Sequence, residues 1–161
     1  MTTRSIVGLA AIATLSLVGA ARAADFVTIP LETTINKPAA EAWAKISGYC
    51  DIGAWLKTTC VITAGKDNEM GAVRRIANRI DELMVAKTAW SYSYSQPKSP
   101  IDYHGTVEIR PIDKKSSKLL YTLVYDAEPL ATPEAKAADK ERRAKQFTGI
   151  VATMKAIAEA K

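Results

Sequence analysis

The final stretch of the chain constrains its fold more than any other. Phe147, Ile150, Val151, Met154, Ile157 and Ala158 recur at i, i+3, i+4, i+7, i+10 and i+11, while Lys145, Gln146, Thr153 and Lys155 fall away from that line. Such spacing draws one continuous apolar stripe along an α-helix. Thr132 is placed to cap it, and Pro133 sits in the first turn, where a missing N–H costs nothing. The segments before it read as strands, so the stripe is expected to lie on a sheet.

Those segments have their own periods. Val27, Ile29, Leu31, Thr33 and Ile35 alternate along one face of a first strand. Asn36 as cap and Pro38 in the first turn open a helix with Ala39, Ala42, Trp43 and Ile46 on one side, and Gly48 closes it. Asp51 is the expected cap of a second, short helix through Ile52, Trp55 and Leu56. Strand signals then dominate: 61–63, a hairpin of 71–77 and 80–86 turning at Asn78-Arg79, then 90–95, 101–109 and 118–126. Pro97 and Pro100 interrupt the pairing between two of them. The order predicts an α+β fold of six to seven antiparallel strands, with two short helices after the first and a long C-terminal helix.

Residues 1–23 read as a cleavable export signal. Arg4 precedes an apolar run from Ile6 to Ala21, and Ala21-Arg22-Ala23 has the small-x-small form that a signal peptidase accepts. An uncleaved anchor is the rival reading. The run is rich in Ala, Gly, Ser and Thr, and weaker than the roughly 20 strongly apolar residues of a spanning helix. Cleavage after Ala23 leaves residues 24–161 as a single domain, periplasmic or secreted, with no stable membrane insertion. It removes two of the 22 basic residues and none of the 17 acidic ones, so the net charge falls from +5 to +3. So mild and dispersed a charge argues against a nucleic-acid partner.

Cys50 and Cys60 are the only cysteines. In an oxidising compartment two cysteines most often pair, and the short second helix lies between them. Two thiols and the lone His104 make no convincing ligand set, so no metal is expected.

Several stretches carry a resemblance to a known superfamily. They are Ile35-Asn36-Lys37-Pro38-Ala39-Ala40-Glu41-Ala42-Trp43, Tyr49-Cys50-Asp51-Ile52-Gly53-Ala54-Trp55-Leu56, Gly71-Ala72-Val73-Arg74, Glu82-Leu83 and Tyr92-Ser93-Tyr94. With the C-terminal helix they resemble the START-like, helix-grip superfamily (SRPBCC, or Bet v 1-like), within it the polyketide cyclase/dehydrase and lipid-transport group. The resemblance covers essentially all of 25–161. The export signal and the cysteine pair depart from the common pattern. It implies a curved sheet wrapped on the long helix, with a cavity between them for an apolar small molecule such as a lipid or polyketide, and no cofactor.

Strand periodicity then proposes lining residues. Trp90, Tyr92 and Tyr94 are expected to share one face, Tyr103, Val107 and Ile109 another, and Leu119, Tyr121, Leu123 and Tyr125 a third. Facing Trp55, Phe147, Ile150, Val151 and Met154, they would enclose an apolar space with phenolic hydroxyls in it. Plain core is the bland alternative for each.

Two other functions stay open. A cyclase- or dehydratase-like enzyme needs a base and a donor, for which Glu82, Asp102, His104, Arg74 and Arg75 are the candidates. Asp102 and His104 fall on the face opposite Tyr103, towards solvent, and Arg74 with Glu82 reads as a cross-strand ion pair. The third class is a protein-interaction module presenting the stretch 135–145; its acidic residues agree equally with a solvated helix start.

Overall fold

The computed structural model describes residues 24–161; the expected export signal, 1–23, lies outside the described residues. The elements run β1 (Phe26–Ile35), α1 (Ala39–Ile46), α2 (Ile52–Leu56), β2 (Cys60–Ala64), β3 (Val73–Ile76), β4 (Ile80–Lys87), β5 (Ser91–Ser95), β6 (His104–Pro111), β7 (Ser117–Asp126) and α3 (Pro133–Glu159). The strands form one antiparallel sheet in the order β1-β7-β6-β5-β4-β3-β2. This is the α+β architecture expected from the element order, in the helix-grip arrangement that the resemblance implies.

From β2 to β7 each strand pairs with the next in sequence, while β1 adds to β7 at the far edge. The connection from one edge to the other is α1 and α2. Pro30 is tolerated because β1 is an edge strand and needs a ladder on one side only. Register shifts lie between Ile62 and Ala64 and between Met84 and Ala86. Bulges of this kind bend a strand and help a sheet to curve. Val85, at the second shift, is turned out to solvent.

The core fills the side of the sheet that faces the helices. On α3, Ile150, Val151, Met154 and Ala158 are buried, with Phe147 and Ile157 packed beside them. The helix lies against β1, β7, α1 and α2. Its start is as expected: the Thr132 hydroxyl accepts from the Ala135 N–H at 3.1 Å, and Pro133 follows. Its end is tied down by the Glu159 carboxylate, which accepts from the Asn36 N–H at 2.6 Å and from Lys155 at 2.8 Å. Among the described residues no helix is long and apolar enough to cross a membrane.

Two caps differ from expectation. Pro38 is the N-cap of α1, and Asn36 instead gives its backbone N–H to the end of α3. Asp51 does stand at the cap of α2, but its carboxylate reaches back to the Gly48 N–H at 2.8 Å. At Asp51 the preceding turn takes the carboxylate that a local cap would use, whereas the cap position of α1 falls two residues after Asn36, with no side-chain cap.

Cys50 and Cys60 form a disulfide with their Cα atoms 5.4 Å apart, strapping the approach to α2 onto β2. For so short a loop, chain entropy gives about 3 kcal/mol of stabilisation. The double substitution C50S/C60S is expected to lower Tm by roughly 10 °C in thermal denaturation. An unchanged Tm would show that the bridge adds nothing to folding.

Candidate functional site

The pleat decides which side chains meet inside. On β3 and β4 the buried residues are Arg74, Ile76, Glu82 and Met84; on β5 they are Tyr92 and Tyr94. Arg74 stands directly opposite Glu82 in the ladder. The hairpin therefore turns a full ion pair inward, with Arg74 at 0% exposure and Glu82 at 2%. Burial at this level demands that each charge be both paired and hydrogen-bonded.

The structure meets that demand closely. Arg74 donates to Glu82 Oε2 from Nε at 2.8 Å and from Nη2 at 2.5 Å. Its remaining nitrogen, Nη1, donates to the Tyr49 carbonyl. Gln96 Nε2 donates to the other carboxylate oxygen, Oε1, at 2.9 Å. The guanidinium carbon lies 4.2 Å from the ring centroid of Tyr49, 4.9 Å from Tyr94 and 5.8 Å from Tyr92, a cation among aromatic faces. Tyr49 in turn donates its hydroxyl to the Glu82 carbonyl at 3.0 Å.

Tyr94 owes its position to a glycine. Its cross-strand partner is Gly105, and a Cβ at that residue would fall 2.3 Å from the Tyr94 hydroxyl oxygen. The ring lies over the bare backbone there, and its hydroxyl meets that of Tyr121 at 2.8 Å. Burial pushes the Tyr92 phenol up to about 12, and raises those of Tyr94, Tyr103 and Tyr121 as well.

Next to this network is a pocket of about 410 Å³. Ile52 and Leu56 of α2, Ile76 of β3, Ile80 of β4 and Phe147 of α3 supply apolar wall, with Pro100 and Ile101 from the β5–β6 connection. Its polar groups are Glu82, Tyr94, Gln96, Ser99, Tyr103, Arg143 and Gln146. Arg143 is paired with Asp139 at 2.6 Å, and its guanidinium carbon lies 4.6 Å from the Tyr125 ring centroid and 5.6 Å from that of Tyr103.

Of the residues proposed from sequence, Tyr94, Tyr103 and Phe147 line this pocket. Trp55, Tyr92, Tyr121, Tyr125, Ile150, Val151 and Met154 are buried in the core beside it and are not among its walls. Trp90 does not share the inner face of Tyr92 and Tyr94. It sits in a bend before β5, 37% exposed, because Thr88 and Ser91 close a local turn through their hydroxyls at 2.7 Å and the Trp90 N–H bonds back to Thr88. Asp102 and His104 are a surface pair 3.8 Å apart, and Arg75 pairs with Asp81 at 2.6 Å on the face opposite Arg74.

The overlooked wall residues carry signals that were readable. Gln96 continues the period of Tyr92 and Tyr94 by one more step. Arg143 stands at i−4 of Phe147 and Gln146 at i−4 of Ile150, so both continue the inner face of α3 towards the helix start, Gln146 contrary to the expectation that it falls away from the stripe. Polarity hid them, since a stripe sought among apolar residues stops where the wall turns polar.

No family model matches the chain, and no curated protein matches it by sequence. Solved structures do match it. A protein from Nitrosospira multiformis is 16% identical with a TM-score of 0.67, covering 81% of this chain and 94% of its own. The Zhui aromatase/cyclase from Streptomyces sp. R1128 is also 16% identical with a TM-score of 0.67, covering 83% and 94%. A START superfamily protein from Mycobacterium smegmatis is 11% identical with a TM-score of 0.60, covering 80% and 97%. At such identities the likeness bears on architecture alone, and it assigns this chain the START-like, helix-grip fold.

Proposed function

We propose that the protein is an exported binder of an apolar small molecule, held in the pocket between the sheet and the first half of α3. The observation that carries this reading is the wall itself. A space of about 410 Å³ bounded mainly by Ile, Leu, Pro and aromatic side chains, with a few convergent polar groups, has the size and make-up of a small-molecule site. The fold neighbours add support, since one is named as an aromatase/cyclase and another as a START superfamily protein. Export rests on the sequence of residues 1–23, and the disulfide is compatible with it.

Catalysis on the same fold is the second reading. Glu82 beside Tyr94 and Tyr103 in the pocket favours it, as an inward carboxylate next to phenols. Carriage ranks first because Glu82 is held by three hydrogen bonds from Arg74 and Gln96, which suits a fixed polar point better than a base that must take up a proton.

Native mass spectrometry of protein purified from an exporting host tests both parts. A chain beginning at Ala24 with a discrete small-molecule adduct is the expected result. A chain retaining residues 1–23 would refute cleavage after Ala23. A bare mass, together with failure to take up any apolar probe, would refute binding.

A further inference from the structure

The charges around the pocket do not cancel, and the excess is positive. Resting on the binding reading above, we infer that the ligand is an apolar molecule bearing a carboxylate, which Arg143 receives. Arg143 lines the pocket from α3, and its guanidinium carbon lies 5.6 Å from the ring centroid of Tyr103, another wall residue. Its only hydrogen bond among the described residues runs from Nε to Asp139 Oδ2 at 2.6 Å. The outer edge of the guanidinium, Nη1 with Nη2, therefore has no acceptor there. A fork of parallel N–H groups on such an edge matches the two oxygens of a carboxylate.

The charge of Arg143 is only partly offset. Asp139 also accepts from Arg142, so one acid serves two arginines. Glu82, the acid that does line the pocket, is matched by Arg74 at 2.5 Å and leaves Arg143 its charge. The other polar walls, Tyr94, Gln96, Ser99, Tyr103 and Gln146, are neutral. A smaller hollow of about 190 Å³ shares Ile80, Gln96, Ser99 and Pro100 with the pocket. Its lining sets Arg79 and Lys98 against Asp81, and Asp81 pairs with Arg75 as well, so this side too carries more cation than anion. The Arg143 side chain is 19% exposed, and a charge-assisted bond made at so shielded a place is stronger than one in open water. One guanidinium suits a monoanion, which favours a carboxylate over a phosphate dianion.

Four ligands with one ring system test the idea: 2-naphthoate, 2-naphthyl phosphate, 2-naphthol and 2-methylnaphthalene, measured by equilibrium dialysis at neutral pH against the intact disulfide-bonded protein. 2-Naphthoate is expected to bind about tenfold or more tightly than each of the others. Equal affinities for all four would leave the pocket as a binding site and overturn the carboxylate. Tightest binding of the phosphate or of 2-naphthol would overturn it as well. Binding of none, by protein with a native circular dichroism spectrum, would refute the binding reading and this inference with it. Arg143→Met leaves Asp139 paired with Arg142, so no acid is stranded and the variant is expected to fold. It should bring the affinity ratio of 2-naphthoate to 2-methylnaphthalene close to one. A preference that survives in the folded variant would show that another cation receives the carboxylate, and would overturn the role of Arg143.

Discussion

Replacing Arg74 by methionine is expected to lower the stability of the protein by about 3–5 kcal/mol, whereas replacing Arg74 and Glu82 together restores most of the loss. The single change leaves the Glu82 carboxylate at 2% exposure with its cation gone and only Gln96 donating to it. It also takes the hydrogen bond from the Tyr49 carbonyl and empties the space among the rings of Tyr49, Tyr92 and Tyr94. A domain has about 5–15 kcal/mol of stability in all, so a loss of this size removes a large share of it. Urea denaturation of the wild type, both single variants and R74M/E82M closes the double-mutant cycle. If Arg74→Met costs no more than about 1 kcal/mol, water reaches the pair and its burial has been misread.

The same pair shows how far the sequence could be read. That Arg74 and Glu82 face one another follows from the hairpin spacing, and the expected ion pair is present. That they face inward is harder to see, because a charged pair at period-two positions is ordinarily the solvated side of a strand. The inner identity of those positions is given by Ile76 and Met84, their same-face neighbours two residues on. Element order and the α3 stripe were legible because each rests on a local period. The pocket was legible only in part. Period two tells which face a residue takes, yet says nothing of where along the sheet the helix ceases to fill the space. Hence Tyr92, Tyr121 and Met154, on the correct faces, are packed core, while the pocket gathers around α2, Gln96 and the chain through Ile101 to Tyr103. Trp90 lies off that face for a different reason: the turn closed by the hydroxyls of Thr88 and Ser91 runs through it, so β5 begins one residue later than the aromatic alternation suggests.

Above pH 10 the protein is expected to unfold before its buried tyrosines ionise in place. All six tyrosines lie in the core. Burial raises the phenols of Tyr92, Tyr94, Tyr103 and Tyr121 above their ordinary value near 10, with Tyr92 at about 12. The sign follows from linkage. Below pH 10 both folded and unfolded chains hold these protons, so stability is intact. As pH rises from 10 towards 12 the unfolded chain releases them while the folded one cannot, and stability falls. At pH 11 each such tyrosine costs on the order of 1 kcal/mol, so the four together remove a large share of the stability of a modest domain. The absorbance of tyrosinate and the far-ultraviolet circular dichroism are therefore expected to change together, in one steep step between pH 10 and 12. Tyr92→Phe should move that step to higher pH. Gradual ionisation under an unchanged dichroism spectrum would mean that the interior stabilises phenolate, by hydration or by a free cation.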